Sequence, residues 1–454
     1  MKLKLSGAFL AVVGALSLSG CGGGGGNDTN TMNNQPNVMK QPAPSQIALP
    51  NVSLKAVQTN ACGNEPIIAD VVYHTADGNF ISSDKTLIDG KLNSTLPENT
   101  QHISLLYHST DNNGKKYLQI QTLLNVQAGF AVDSLSFENK SNCACSSIKY
   151  DLASLKAEVP DATIFNIGAP PMQLKDAENT YSSCVIEKQK LIFTQSKSAH
   201  TGTLIDTSEQ ATVELTAAQF TVQGTPLDIS GLDMPARGVI SLSSYIGNDE
   251  VHSTVVNNAA YNHPSYQEQN QLVIYNGLNT TSYLSISQTG SSLDFSEDVS
   301  THSYVLTSVD NTGKVENIQP IREDSSLTSA YKSLSNSFGD PNNSHTAMLD
   351  FSAIDPRVNI ATLTYTWEND LQGEVSWQII TDGQETIPLF TYGDIYQAVE
   401  PENLSIKLTL TALNSEQSFN DLRSVYLSSL ESFEKRAKSK LFDTFASYSI
   451  SRRW

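Results

Sequence analysis

Leu363-Thr364-Tyr365-Thr366-Trp367, a turn near Gly373, and then Val375-Ser376-Trp377-Gln378-Ile379 form the stretch that decides the fold. On both arms large apolar side chains alternate with Thr, Ser or Gln, the period of two that a half-buried strand requires. Centred on residue 372, the hairpin sets Trp367 opposite Trp377 and Tyr365 opposite Ile379. One face then carries Leu363, Tyr365, Trp367, Val375, Trp377 and Ile379, and the other is polar. Alternation this clean places the apolar face against a core. The other reading is an exposed platform for stacking sugars, with Trp367 and Trp377 as the candidate binding residues.

Similar strand signals run upstream. Ile67 to Tyr73 is closed by Asp77-Gly78, and His102 to Tyr107 by Asp111-Asn112-Asn113-Gly114. Tyr117 to Leu123 resumes at once, which reads as a hairpin. Lys190-Leu191-Ile192-Phe193, Ala211 to Leu215, Gly238 to Leu242, Leu272 to Tyr275, Tyr283 to Ile286 and Tyr304 to Leu306 continue the pattern. Asp310-Asn311-Thr312-Gly313-Lys314 echoes Asp111 to Lys115, so two similar turns are expected. The expected fold is mainly β with tandem β-sandwich-like domains: a β-sandwich over 61–143, a second β-rich domain over 144–236 and a third β-rich segment with a short helix over 237–339, then an α+β part over 340–454.

Two helices are expected. Asp324 caps a short one with Leu327, Tyr331, Leu334 and Phe338 on one face and Gly339 as its stop. Asn414 and Gln417 fit a capping box for a long amphipathic helix over 415–447. Its stripe runs through Phe419, Leu422, Tyr426, Leu430, Phe433, Ala437, Leu441 and Phe445. Lys435, Arg436, Lys438 and Lys440 make its second half basic, which suits a helix C-terminus packed on a sheet; contact with anionic lipid or a protein is the alternative.

Charged residues are 17% of the 454 residues, with Ser, Thr and Asn abundant, a composition that suits an exported β-rich protein. The net charge of −19 repels phosphate backbones, so nucleic acid is not an expected partner.

The N-terminus reads Met1-Lys2-Leu3-Lys4, an apolar run from Leu5 to Leu18, and Leu18-Ser19-Gly20-Cys21. A short basic region, a short apolar run and small residues make residues 1–20 a signal peptide. The last four residues resemble the lipobox of bacterial lipoproteins. The resemblance implies cleavage before Cys21, acylation of Cys21 and a membrane partner through that anchor. Gly22, where an Asp would retain such a protein, implies the outer membrane, on either face. Five glycines and a polar stretch follow, so 21–60 is expected to be a lipidated flexible tether. The segment 67–140 resembles the carboxypeptidase-regulatory-like module, an immunoglobulin-like sandwich, on Asp77-Gly78, Asp89-Gly90-Lys91-Leu92, Leu96-Pro97 and the strand Ile103 to Tyr107. That resemblance implies a non-catalytic module.

Cys62, Cys143, Cys145 and Cys184 form an even set in an oxidising compartment, so two disulfides are expected. Cys143 with Cys145 strains the bond geometry. Cys62–Cys143 with Cys145–Cys184 is the preferred pairing, and the crossed pairing stays open. No Gly-x-Ser-x-Gly, His-Glu-x-x-His or P-loop occurs, and the cysteine and histidine spacing is not that of a zinc site. His74, His102 and His108 share one predicted sandwich, but no fixed ligand spacing links them. No catalytic residue, metal or cofactor is therefore assigned.

The expected function is a non-catalytic envelope lipoprotein that presents β-sandwich modules to a protein or glycan. The alternatives are an envelope hydrolase built from distant residues, which a cluster of carboxylates or a Ser beside a His in one cleft would favour, and an accessory subunit of an assembly system.

Overall fold

The computed structural model describes residues 51–454 except 61–62, 128, 142–145, 168–170, 186–188, 197–198, 208–210, 230–231, 233–237, 247–253, 262–271, 279, 292–298, 322–326, 333–346, 349–350, 352–353, 397–401, 430–439 and 454. The signal peptide, Cys21 and residues 22–50 lie outside the described residues. So do Cys62, Cys143, Cys145 and the side chain of Cys184, and with them both disulfides.

The chain is mainly β. The strands that build its body are β1 (Asn51–Asn60), β2 (Gly63–Pro66), β3 (Asp70–His74), β4 (Phe80–Lys85), β5 (Lys91–Thr95), β6 (His102–Thr110), β7 (Lys116–Leu123) and β8 (Ala131–Glu138). After an intervening module come β9 (Gly238–Ile246), β10 (Thr254–Tyr261), β11 (Thr280–Ser291), β12 (Val299–Val309), β13 (Ile360–Asn369), β14 (Gly373–Thr381), β15 (Glu402–Leu413), helix α1 (Phe419–Ser429) and β16 (Thr444–Arg453).

A 12-stranded sheet runs in the order β10-β9-β11-β12-β16-β15-β13-β14-β7-β6-β3-β4. Every neighbouring pair is antiparallel except β14 and β7, which run parallel with Glu374 beside Tyr117 and Ile380 beside Leu123. Strands from 70–123, 238–309 and 360–453 thus share one sheet. One face carries the main core, with Leu118, Ile120, Leu363, Tyr365, Val375, Ile379, Leu408 and Ile450 all buried. The other face, under β3, β6 and β7, is covered by β1, β5 and β8 and by Leu422 and Leu427 of α1, with β2 an exposed edge of the smaller sheet. The packing of the smaller sheet on the larger gives the body its sandwich-like character.

The intervening module has its own core around Ile148, Tyr150, Leu155, Ile164 and Ile192. Met172–Gln173, Thr163–Phe165, Gln189–Gln195, His200–Asp206 and Val222–Gln223 form one sheet, and Thr180–Val185, Ser146–Asp151 and Thr212–Glu214 another.

Three sequence expectations change. Residues 51–60, expected in the tether, are strand β1, where Val52, Leu54 and Ala56 alternate into the core. The long helix 415–447 is not present: α1 ends at Ser429, residues 430–439 lie outside the described residues, and β16 occupies 444–453. The period shifts from helical to two there, with Ala446, Tyr448 and Ile450 in the core. The cap also moves: Ser418 Oγ accepts from Asp421 N at 3.4 Å and donates to Asp421 Oδ2 at 2.6 Å. Of the shorter helix, 327–332 is helical, with Leu327 and Tyr331 buried.

The third change is the register of the 363–379 hairpin. Tyr365 faces Trp377, Trp367 faces Val375, and Asn369 closes on Gly373. Asn369 Oδ1 sets this turn by accepting from Leu371 N at 3.0 Å and Gln372 N at 2.7 Å. The slip is two residues, so the apolar face keeps its members.

Gly373 has φ +74°, and a Cβ there would lie 2.2 Å from the Lys116 carbonyl oxygen. Gly373→Ala should therefore cost about 2–3 kcal/mol, measured by urea unfolding, because backbone strain and a collision with the start of β7 coincide. An unchanged midpoint would mean β7 and β14 do not meet as described.

The two similar turns are present. Asp111 Oδ1 accepts from Asn113 N and Lys115 N at 2.8 and 2.9 Å, and Asp310 Oδ1 from Thr312 N and Lys314 N at 2.8 and 3.0 Å. Both place a glycine at positive φ, Gly114 at 84° and Gly313 at 80°.

Candidate functional site

Histidines and an indole meet inside the main core. His74 and His102 are opposite one another on β3 and β6. His74 Nε2 lies 2.9 Å from Ser104 Oγ, Ser104 Oγ lies 2.8 Å from Thr122 Oγ1, and Trp377 Nε1 donates to Thr122 Oγ1 at 2.9 Å. This polar ladder crosses β3, β6, β7 and β14 in order. The indole can only donate, while the two hydroxyls and the imidazole nitrogen can each donate or accept along the rest of the ladder.

Aromatic side chains of 390–396 close over the ladder. The Phe390 ring stands edge-on to His74 at 5.0 Å, to His102 at 5.6 Å and to Trp377 at 5.9 Å, and Tyr392 stands edge-on to His74 at 5.2 Å. The segment is pinned from outside: Thr391 N donates to Gly78 O at 3.0 Å, and Phe80 N to Thr391 Oγ1 at 2.8 Å. His102 is fixed by Ala76 O at 3.2 Å and by the Asn125 amide, which donates to Nδ1 at 3.1 Å.

Burial, and then the neighbouring His102, push the His74 pKa down from 6.5 to about 4, with backbone groups of Thr391 and Gly78 opposing. Burial lowers His102 as well. Below 6.5 the unfolded chain binds a proton that folded His74 refuses until about 4. Stability should fall as pH drops through that window and be insensitive to this group above it. His74→Asn should remove about 2–3 kcal/mol of the loss between pH 7 and pH 4.5, seen as a shallower acid limb in urea titrations. Equal pH slopes for the two proteins would refute the buried neutral imidazole.

Ser104 and His74 sit at the distance of a nucleophile and its base. Both side chains are fully closed to solvent, and Nε2 faces a hydroxyl already bonded to Thr122. The described cavities lie elsewhere. One of about 150 Å³ is lined by Leu232, Ile286, Val305 and Glu316 among others, and an open one of about 580 Å³ by Asp70, Ser83, Asp84, Lys85 and Ile395. Among the described residues no three His, Cys, Asp or Glu side chains gather as a metal would require.

No known family model matches the chain, and no curated protein sequence does. Among solved structures, two B repeat units of the collagen-binding protein of Staphylococcus aureus align at 9% identity over 81% of this chain and 97% of that one, with a TM-score of 0.11. A tetra-tandem repeat from the extending region of a large adhesion protein aligns at 8% identity over 79% and 95%, with a TM-score of 0.10. The α2-macroglobulin of E. coli aligns at 8% identity over 78% of this chain and 26% of that one, with a TM-score of 0.11. Superpositions this poor carry no argument about fold or function.

Of the residues singled out in sequence, Trp377 and Trp367 are half-buried and pack on the main core, with Tyr365 against Trp377 at 5.3 Å. His108 lies at the far end of β6 from His74. His252, His263 and His345 lie outside the described residues. Ser104, Thr122 and Phe390 were not singled out. Their signal was a polar residue at an inward position of an apolar strand, as in His102-Ile103-Ser104-Leu105-Leu106.

Proposed function

We propose that the protein is a non-catalytic lipoprotein of the cell envelope, held through Cys21, whose β-structured body presents a binding surface. The observation that carries this reading is the order of the chain. Leu18-Ser19-Gly20-Cys21 comes first, then glycines and a polar spacer, then a mainly β body from Asn51 onward. Enclosure of the polar ladder supports a structural role for His74, Ser104 and Trp377, and it weakens the reading of Trp377 as a sugar platform.

Labelling growing cells with palmitate, followed by fractionation, tests the anchor. Wild-type chain should carry label and sediment with membranes, and Cys21→Ser should carry none and appear in the soluble fraction. An unlabelled, soluble wild type would end this reading.

The hydrolase reading is favoured by one observation, the Ser104–His74 contact. Labelling of Ser104 in the folded protein by a fluorophosphonate would restore it.

A further inference from the structure

Four aliphatic side chains stand out at one end of the large sheet. Ile88 is 84% exposed, Leu371 71%, Leu87 66% and Ile68 55%. The registers bring them to the same end. Asp70 pairs with Lys85 on β4 and with Leu106 on β6, β6 turns into β7 at Asp111–Lys115, and Tyr117 of β7 lies beside Glu374 of β14. The β4–β5 connection and the β13–β14 turn therefore leave the sheet on one side, with Ile68 just before β3.

This exposure is built into a fixed turn. Leu87 N donates to Lys91 O at 2.8 Å, Gly90 N to Leu87 O at 2.8 Å, and Asp89 Oδ1 accepts from Lys91 N at 3.1 Å. Gly90 has φ +78°, and a Cβ there would lie 2.3 Å from the Ala56 carbonyl oxygen. Thr86 ties the neighbouring segment down, accepting from Ala69 N at 2.8 Å and donating to Ile67 O at 2.8 Å. Turn tips ordinarily carry Gly, Asn, Asp or Ser, and this one carries Leu and Ile.

The charges around the tip differ from the rest of the chain. The protein as a whole is at −19 and repels anionic surfaces. Beside the tip, Lys85 holds Asp70 at 2.9 Å and Lys91 holds Asp89 at 3.6 Å, while Lys55 stands opposite Lys91. Asp84, next to Lys85, accepts from Ser94 Oγ at 2.9 Å and Tyr73 OH at 3.2 Å, so three lysines stand against three acids and the tip is near neutral in a chain at −19.

We propose that this end of the sheet is a membrane-docking face, with Leu87 and Ile88 inserted at the acyl boundary of a bilayer. The proposal rests on the Cys21 anchor, to which it adds a second contact. The chain outside the described body argues for this occupant. Only residues 22–50 separate Cys21 from Asn51 in the sequence. Asn51 enters β1 four positions from Lys55, about 13 Å from the level of the tip. A body tied to a lipidated Cys21 meets the bilayer at a raised effective concentration, so a few aliphatic side chains suffice where a free protein would need more.

The test is photo-crosslinking of the full-length acylated chain in vesicles of phosphatidylethanolamine and phosphatidylglycerol. A diazirine amino acid replaces Ile88, or in the control the exposed Glu98 beyond the other end of β5. Phospholipid adducts at 88 and none at 98 are expected, with Leu87→Asp lowering the yield at 88 about tenfold. Equal adducts at both positions, none at either, or protein adducts at 88 in native membranes without lipid would overturn the docking face. The intact mass of the same sample reports Cys21. Lipid adducts at 88 on an unacylated chain would remove the anchor and keep the docking. An acylated chain without adducts would do the reverse.

Discussion

Arg423→Ala should lower the stability of the folded body by about 3–5 kcal/mol. Arg423 is only 1% exposed, although it lies on a helix at the surface of the body. Its Nη1 donates to the Leu124 carbonyl and its Nη2 to Asn420 Oδ1 at 3.1 Å. The guanidinium lies between the rings of Phe130 and Phe419, at 5.0 and 5.1 Å. Burial lowers its pKa to about 10, opposed by the charges of Glu385 and Asp382. Glu385 is itself raised by burial and accepts from Asn125 Nδ2 at 2.5 Å and Thr381 Oγ1 at 3.0 Å.

Alanine would leave a cavity between two rings, a carbonyl without its donor and a carboxylate without its counter-charge. Arg423→Lys should cost less than alanine but remain clearly destabilising, because a lysine keeps the charge and loses the planar fork. Arg423→Met with Glu385→Gln should recover more than half of the alanine loss, since the charges leave together and the volume stays. Urea unfolding measures all three. A loss below 1 kcal/mol for alanine would mean that α1 does not dock through this side chain.

Trp377→Ala should cost about 3 kcal/mol, and the folded fraction at physiological temperature should drop visibly in near-ultraviolet circular dichroism. The indole fills space between Tyr365 and Phe390 and supplies the N–H that Thr122 accepts. Trp377→Phe isolates the second effect and should cost about 1 kcal/mol. Trp367→Phe is the contrasting case. Its Nε1 is buried and makes no hydrogen bond among the described residues. Removing that donor should be neutral or slightly stabilising. Full stability of Trp377→Ala with loss of glycan binding would reinstate the aromatic platform.

Much of the β architecture is legible in sequence because period-two alternation is a local property. Leu363 to Ile379 could be assigned to a hairpin with its apolar face named, and only the register moved. That register depends on the side chain of Asn369 at the turn, which alternation does not report. The parallel pairing of β7 with β14 is written in no local pattern, since it joins Tyr117–Leu123 to Glu374–Ile380 across the intervening module. The end of the helix is masked in sequence because Leu441 and Phe445 continue a helical spacing into a region where Ala446, Tyr448 and Ile450 already alternate. For the ladder, sequence offered His74 and His102 in neighbouring segments. It could not show that Ser104, Thr122 and Trp377 would line up beside them, because strand order decides that. Arg423 was hidden between Leu422 and Tyr426 on a helix that reads as an apolar stripe without it.

Segments from the two ends of the described chain form one sheet, and both the ladder and the docking face depend on it. Tyr117 and Glu374 are partners in the parallel pairing of β7 and β14, at its partly exposed end. With cysteines at both positions, mild oxidation and peptide mapping should find one peptide pair linking 117 to 374, formed rapidly in the folded protein and lost in urea. Oxidised folded protein with no such link, and with both new thiols still free to alkylation, would mean that β7 and β14 do not pair.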